Sequence, residues 1–376
     1  MKQGFLIFFS FALLVWIGVN IYLYNSLKHF FCTGVSRKVF LAVYVFLTAS
    51  FFLGRFLENY SYAASVVPIT AGSVFFAFVL YAFIGAFAVD SVNLIYKISG
   101  KSIFCPVKIK AVIVVVFSFV ICAAGFVNSF NFAVRELIVY TEKKIPAEGF
   151  KIAYASDLHL GHIVGKKKLS FLVDKFNDFS PDAVILGGDT IDEDIEPVRR
   201  KRLNKKLSEI KSRYGTFAVL GNHEYIGGVD EAREYLISNG IKLLEDSVVE
   251  IPEGIVIAGR IDIMRNGSAG FKRKNLSEII TESDLNKFML LIDHQPKNLI
   301  DAENNGIDLQ LSGHTHHGQM FPFNFITSAI YEVSAGFKTR GKTSYYISSG
   351  FGTWGPPVKL FRRPEIVFIR IMPQQK

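Results

Sequence analysis

The chain has 376 residues, of which half are hydrophobic and a fifth are charged, and its formal net charge is +9. The charges are uneven, because residues 1–130 hold 9 Lys and Arg against 2 Asp and Glu, whereas residues 131–376 hold 33 against 31. This composition argues against a fully soluble enzyme, a disordered chain and a fibrous repeat. The basic excess flanks apolar runs and forms no basic face, so it also argues against nucleic acid as a partner.

Four apolar runs in residues 1–130 predict a domain of transmembrane helices. Each run has about 20 residues, which is enough to cross roughly 30 Å of hydrocarbon as a helix. A cleaved signal peptide is the alternative for the first run, but no clear small-residue cleavage site follows it. The predicted spans are about 4–24, 39–57, 66–89 and 111–130.

Basic residues in the loops predict the orientation of these spans. Loops 25–38 and 90–110 contain seven Lys and Arg residues, and the flanks on the other side contain five. The positive-inside rule therefore favours a cytoplasmic position for those two loops. Both termini, and with them residues 131–376, are then expected outside the cytoplasm.

Residues 131–376 alternate short β-rich runs with helical patterns, which is typical of one α/β domain. The predicted strands are 150–156, 183–188, 216–220, 255–259, 288–293 and 307–312. The predicted helices are 166–179, 196–214, 229–239, 276–285 and 296–304.

Polar residues follow five of the predicted strands at the point where each strand ends, which is where α/β proteins gather ligand groups. Seven of the 8 histidines lie in these segments, which are 157–162, 188–192, 221–224, 293–294 and 313–319. The cysteines, Cys32, Cys105 and Cys122, lie in or beside the membrane part, so these segments offer no thiolate. Carboxylate oxygen and imidazole nitrogen together suit Mn, Fe, Zn or Co ions.

The pattern indicates two metal ions. If strand geometry continues past residue 156, Asp157 and His159 point the same way and can share one ion. Asp189, with two carboxylate oxygens, is the best candidate to bridge two ions. Two divalent ions would bind a phosphate and acidify a water for attack on phosphorus. No covalent protein intermediate is required, and the sequence has no phosphate loop, nucleophile elbow or convincing dinucleotide fingerprint.

Taken in order, the motifs D-x-H, G-D-x-x-D, G-N-H-E, a lone His and G-H-T-H resemble the calcineurin-like metallophosphoesterases over about residues 140–372. Gln319, the segment 321–323 and the tail 349–357 are similar to the membrane-anchored bacterial branch. The resemblance implies a sandwich of two mixed β-sheets flanked by helices. We therefore expect four N-terminal transmembrane helices (1–130) followed by an α/β metallophosphoesterase domain (131–376).

The resemblance also implies roles for individual residues. The ligands of the first metal would be Asp157, His159, Asp189 and His316. The ligands of the second metal would be Asp189, Asn222, His294 and His314. His223 would stabilise the phosphoryl group and protonate the leaving oxygen. Glu224 would orient His223, and Asp192 would contact the metal ligands without binding a metal itself.

Two other functions fit parts of this pattern. A pyrophosphatase of lipid A synthesis acting on UDP-2,3-diacylglucosamine is one, but its substrate is cytoplasmic. A membrane sensor or transporter that binds metal without turnover is the other, although the four helices offer no set of buried charges for a pathway. The expected partners are the lipid bilayer and a phosphorylated small molecule or lipid.

Three weaker features each allow two interpretations. The basic helical pattern 196–213 could rest on anionic lipid or cover the domain core as a solvated helix. Lys166, Lys167 and Lys168 are expected to form an exposed helix start, the alternative being direct contact with the substrate. The apolar stretch 320–330 could have a binding role, in which it caps the site or contacts an acyl chain or the bilayer, or it could pack as a loop on the sheet edge.

Overall fold

The computed structural model of the chain describes residues 2–29, 35–265, 272–282 and 284–374. Cys32 lies outside these residues. The chain divides into two compact units, Met1–Val127 with Gly355–Val358, and Asn128–Trp354 with Lys359–Lys376.

Among its described residues, the first unit contains four helices long and apolar enough to cross a membrane, which confirms the predicted number of spans. They are α1 (Lys2–Leu27), α2 (Val35–Glu58), α3 (Tyr62–Ile98) and α4 (Val107–Asn128). Helix α3 is longer than predicted, and Asp90 and Lys110 lie within helices, not in a loop. Lys110 is buried and its Nζ lies 2.6 Å from Oδ2 of Asp90. Among the described residues of this unit, Lys110 is thus a buried charge with a carboxylate partner, and the Asp90 side chain is 41% exposed.

The second unit is built on twelve strands and eight α-helices among its described residues. The strands are β1 (Ala133–Thr141), β2 (Phe150–Ala155), β3 (Ala183–Leu186), β4 (Thr216–Ala218), β5 (Ile241–Leu243), β6 (Ser247–Ile251), β7 (Ile255–Gly259), β8 (Phe288–Ile292), β9 (Leu309–Ser312), β10 (Gly336–Arg340), β11 (Thr343–Ile347) and β12 (Glu365–Pro373). The helices are α5 (Lys166–Phe179), α6 (Glu196–Arg200), α7 (Asn204–Leu207), α8 (Asn222–Gly227), α9 (Val229–Ser238), α10 (Leu276–Ile279), α11 (Leu299–Asn304) and α12 (Phe323–Ile330).

The strands form two six-stranded mixed sheets, as the resemblance implies. Their orders are β1-β12-β2-β3-β4-β5 and β10-β11-β9-β8-β7-β6. Strands β2 to β5 run parallel to one another, and so do β7, β8, β9 and β11. The carboxyl ends of parallel strands meet at one edge of a sheet, so the loops that follow them lie side by side.

The apolar core has three layers because each sheet is covered on both faces. Ile152 and Phe217 of the first sheet pack with Leu290 of the second in one buried cluster. Helix α5 and its neighbours cover the outer face of the first sheet, and α10 and α11 cover that of the second.

The basic segment 196–213 folds differently from the long helix that its periodicity predicts. Two short helices, α6 and α7, replace it, because Arg202 between them adopts a left-handed φ of 52°. Val198, Leu203 and Leu207 are buried in the core cluster. This packing supports the hypothesis of a helical segment covering the core.

Lys168 is buried, which corrects the expectation of an exposed helix start, whereas Lys166 and Lys167 are exposed. The Lys168 ammonium lies 4.5 Å from the ring centroid of Phe130. This cation–π contact only partly offsets the loss of water around the charge.

Candidate metal centre

The polar segments that follow the strands have a left-handed backbone conformation at several positions. Five of the expected ligands have left-handed φ angles: Asp157 (55°), His159 (48°), Asp189 (50°), His314 (68°) and His316 (46°). Non-glycine residues adopt this region rarely, and such residues concentrate at functional sites. The expectation that Asp157 and His159 continue the alternation of β2 is therefore wrong, although the two side chains do reach one cluster.

Asp157, His159 and His316 form the first cluster, with ligand atoms within 4.8 Å of one another. The Nε2 atoms of the two histidines lie 2.9 Å apart, and Nε2 of His316 lies 3.4 Å from Oδ1 of Asp157. Oδ2 of Asp157 is buried and hydrogen-bonds to none of the residues that the structure describes. An unsatisfied carboxylate oxygen beside two imidazole nitrogens fits a divalent cation.

Asp189, His294 and His314 form the second cluster, which Asn222 completes. Nε2 of His294 lies 3.1 Å from Oδ2 of Asp189. Oδ1 of Asn222 lies 2.7 Å from Nδ1 of His314 and 3.3 Å from Nε2 of His294. Nδ1 of His294 donates to the carbonyl oxygen of Gly187, which leaves Nε2 as the atom that can hold a metal.

Asp189 connects the two clusters. Its Oδ2 lies 3.9 Å from Nε2 of His159, in addition to the contact with His294, and its Oδ1 accepts the backbone N–H of His223. Burial alone would raise the pKa of Asp189, but the neighbouring histidines, above all His294, hold it well below its usual range. The residue is therefore an anion that lies between the two clusters.

Asp192 faces two histidine rings at the edge of the centre. Its Oδ1 lies 3.1 Å from Nδ1 of His159 and 3.3 Å from Nδ1 of His223. Burial opposes the charge on His223, but its contact with Asp192 and the charge of Asp189 outweigh it and raise the pKa of His223 to about 9. These two carboxylates thus favour the protonated form of His223.

Glu224 lies in the first turn of α8, but its contacts differ from those that we expected. Its carboxylate accepts the backbone N–H groups of Gly221 (2.8 Å), Ile191 (2.9 Å) and Asp189 (3.1 Å). Glu224 therefore holds the loops after β3 and β4 together. The carboxylate nearest to Nδ1 of His223 is that of Asp192.

Two glycines let the backbone approach the ligand carboxylates. A Cβ atom at Gly221 would lie 2.2 Å from Oδ1 of Asp189, and one at Gly313 would lie 2.2 Å from Oδ2 of Asp157. Any side chain at these positions would displace a ligand, so glycine is required at both.

Comparison with known proteins places the chain in a family. The sequence profile described as "Calcineurin-like phosphoesterase" matches residues 150–318. An uncharacterized metallophosphoesterase of Campylobacter jejuni is 31% identical over 380 residues, which cover 98% of this chain and 98% of that protein. This chain belongs to the calcineurin-like phosphoesterase family. The resemblance inferred from the motifs is confirmed.

Other calcineurin-like relatives match a smaller share of the chain. An uncharacterized metallophosphoesterase of Helicobacter pylori is 33% identical over 245 residues, 65% of this chain and 65% of that protein's length. A zebrafish relative named as a transmembrane protein with metallophosphoesterase domain is 30% identical over 280 residues, 69% of this chain and 62% of its own length. Members of this family use divalent metal ions, and the two clusters offer ligands for them.

The calcineurin-like centre of this chain has neighbours that the motifs did not single out. The centroid of the Trp354 ring lies 6.0 Å from that of the His223 ring, and the centroid of the Tyr331 ring lies 6.1 Å from that of the His314 ring. Lys359 is fully buried and donates to the carbonyl oxygens of Ser349 and Gly350. Trp354 is 50% exposed and Tyr331 is partly exposed, and none of the motifs that supply the ligands contains these aromatic residues or Lys359, so sequence alone does not assign them to a site.

Proposed function

We propose that this chain is a membrane-anchored, dinuclear metal-dependent phosphoesterase that hydrolyses phosphomonoester or phosphodiester bonds. The position of Asp189 between two ligand clusters carries this proposal. One ion, which could be Mn, Fe, Zn or Co, would be held by Asp157, His159, Asp189 and His316. The other would be held by Asp189, Asn222, His294 and His314.

The protein residues around this centre would bind and protonate the substrate. Divalent ions supply, when bound, the positive charge that holds a phosphate and acidifies the attacking water. Asp192 faces Nδ1 of His223, so Nε2 is the atom left to donate a proton to the departing oxygen. Asp192 also faces Nδ1 of His159 and keeps Nε2 of that ring directed at the first cluster.

The substrate that we propose is a phosphate carried by a lipid or by another envelope component. The four helices tether the domain to a membrane, where such substrates are abundant. The near-balanced charge of residues 131–376 argues against a polyanionic nucleic acid. The loop charges favour a catalytic domain outside the cytoplasm, and reporter fusions at the C-terminus test this orientation. A cytoplasmic reporter signal would overturn it.

A substrate screen with the purified full-length chain tests the proposed function. Phospholipids, lipid-linked pyrophosphates and nucleotides are offered with each metal in turn, and His223→Ala is the control. We expect metal-dependent release of phosphate or of a phosphomonoester from one class, and strongly reduced release by the variant. A chain that binds two ions and hydrolyses no member of the panel would instead support the metal-binding sensor or transporter.

A further inference from the structure

Helix α12 presents an apolar surface to solvent. All eight of its side chains are at least partly exposed, and Phe325, Ile326 and Ile330 are 64%, 53% and 65% exposed. Between His314 and Tyr331 the sequence contains no Asp, Glu, Lys or Arg. Contiguous exposed apolar surface on a folded domain marks a binding site more often than chance allows.

Aromatic residues extend this surface beyond the helix. The centroid of the Phe321 ring lies 5.8 Å from that of Phe325 and 5.6 Å from that of Phe361, and Phe361 is itself exposed. We refer to Phe321, Phe325, Ile326, Ile330 and Phe361 as the apolar patch.

The apolar patch adjoins the metal centre at both ends of α12. At its start, a Cβ atom on Gly318 would lie 2.3 Å from the backbone nitrogen of Asn324, so the first turn packs against the segment that contains His316. At its end comes Tyr331, whose ring contacts that of His314. The whole helix therefore forms part of the rim of the metal centre.

A cavity continues from the end of α12. It has a volume of about 300 Å³, and its lining includes Ile300, Ile330 and Tyr331 together with Lys297, Glu332 and Arg340. The Glu332 carboxylate pairs with Arg340. The apolar side chains and the ring that contacts His314 thus share the cavity with the cation of Lys297. This lining suits the region of an amphiphile where a charged phosphate joins a hydrocarbon chain.

We infer that α12 and the apolar patch bind the hydrocarbon chain of a phosphorylated lipid substrate while its phosphate lies at the metal centre. This inference rests on the proposed function. The patch is continuous with the centre, so a single amphiphilic molecule can contact both. A hydrocarbon chain also matches a strip without charged side chains better than a polar partner does. The occupant is the substrate's own chain and not the surrounding bilayer.

A chain-length series of inhibitors tests this inference. The full-length chain in phosphatidylcholine nanodiscs hydrolyses p-nitrophenyl phosphate or bis-p-nitrophenyl phosphate, and butyl, hexyl and octyl phosphate compete. Free inhibitor concentrations are measured, because octyl phosphate partitions into the bilayer. The variants are Ile326→Ser and Phe325→Ser with Ile326→Ser. Ile237→Ser is the matched control, since Ile237 lies on the surface helix α9 and is 54% exposed, against 53% for Ile326.

We expect octyl phosphate to bind the parent about tenfold more tightly than butyl phosphate, because additional methylene groups leave water. The double variant should lose most of this ratio, and Ile237→Ser should retain it. A ratio near one in the parent, or an unchanged ratio in the double variant, would overturn the inference. Equal weakening of both inhibitors would overturn it too, since the patch would then only support the centre. Absence of aryl phosphate hydrolysis by the parent would instead refute the proposed function on which the inference rests.

Discussion

Nε2 of His294 lies 3.1 Å from Oδ2 of Asp189 and is turned towards it because Nδ1 donates to a backbone carbonyl. The same carboxylate oxygen lies 3.9 Å from His159, so one aspartate serves both ligand clusters. The two proposed metal positions therefore depend on each other through a single side chain.

Asp189→Asn should reduce the metal content from two ions per chain to one or fewer. The amide removes the negative charge of the side chain whose Oδ2 lies near both clusters, so we expect at least a 100-fold loss of affinity. Inductively coupled plasma mass spectrometry of the purified variant measures this. Asp178→Asn, at an exposed aspartate, is the control. An unchanged content of two ions would refute the bridging role.

His223→Ala should separate metal binding from turnover. The ring contacts Asp192 and stacks edge-on with His159, but it is absent from the ligand sets that we propose. We expect two bound ions and a kcat lower by about 10²- to 10⁴-fold, the usual contribution of a general acid. Loss of an ion in this variant would show that His223 is a ligand.

Glu224→Gln should destabilise the domain. An amide NH₂ would replace one carboxylate oxygen that accepts backbone N–H groups, which leaves a buried donor unsatisfied and costs about 1–3 kcal/mol. The melting temperature of the full-length chain should fall by several degrees, whereas Glu231→Gln, on an exposed side chain, should leave it unchanged. An unaltered melting temperature with a kcat as low as that of His223→Ala would restore the orienting role that the motifs implied for Glu224.

Gly221→Ala should disrupt the centre through one methyl group. The new Cβ would lie 2.2 Å from Oδ1 of Asp189, so the carboxylate must move away from its position between the clusters. We expect loss of bound metal. Gly165→Ala is the control, because its Cβ would meet only Lys201 at 3.7 Å or more. Equal metal content in the two variants would contradict the close approach at Gly221.

Lys168→Met should stabilise the domain at neutral pH. Burial lowers the pKa of Lys168 from 10.5 to about 8, so between these values the folded chain binds fewer protons than the unfolded chain. The free energy of unfolding then rises with pH across this window, and the cost of the buried charge is fully present below pH 8. Removal of the buried charge should increase the free energy of unfolding by about 1–3 kcal/mol at pH 7. Melting temperatures from pH 6 to 10 test this against Lys167→Met, and a benefit that does not decrease above pH 8 would contradict it.

The site was more predictable from the sequence than several parts of the fold. Buried strands such as β7 and β8 are continuous apolar runs, and the polar residues that follow such strands stand out against them. Strand β1 was missed because it lies at a sheet edge, where Arg135 and Glu136 are exposed and give the appearance of a linker. Its partner β12 comes from the far end of the chain, with Ala133 opposite Glu365, and local patterns carry no information on such pairing.

Contacts that depend on loop geometry could not be predicted from the sequence either. The family resemblance implied that Glu224 orients His223, but the helical turn directs the carboxylate to the backbone of the loop after β3. Asp192 reaches His223 instead, since that loop turns back through the left-handed residue Asp189. The orientation of the membrane spans stays a prediction from loop charges.

Metal-dependent turnover by the purified chain tests the central claim most directly. The full-length protein is stripped of metal, its ion content is titrated with Mn²⁺, and hydrolysis of p-nitrophenyl and bis-p-nitrophenyl phosphate is followed in parallel. We predict that activity appears with bound metal, is complete at two ions per chain and is abolished in Asp189→Asn. Full activity in the metal-free protein, or in Asp189→Asn, would contradict the account.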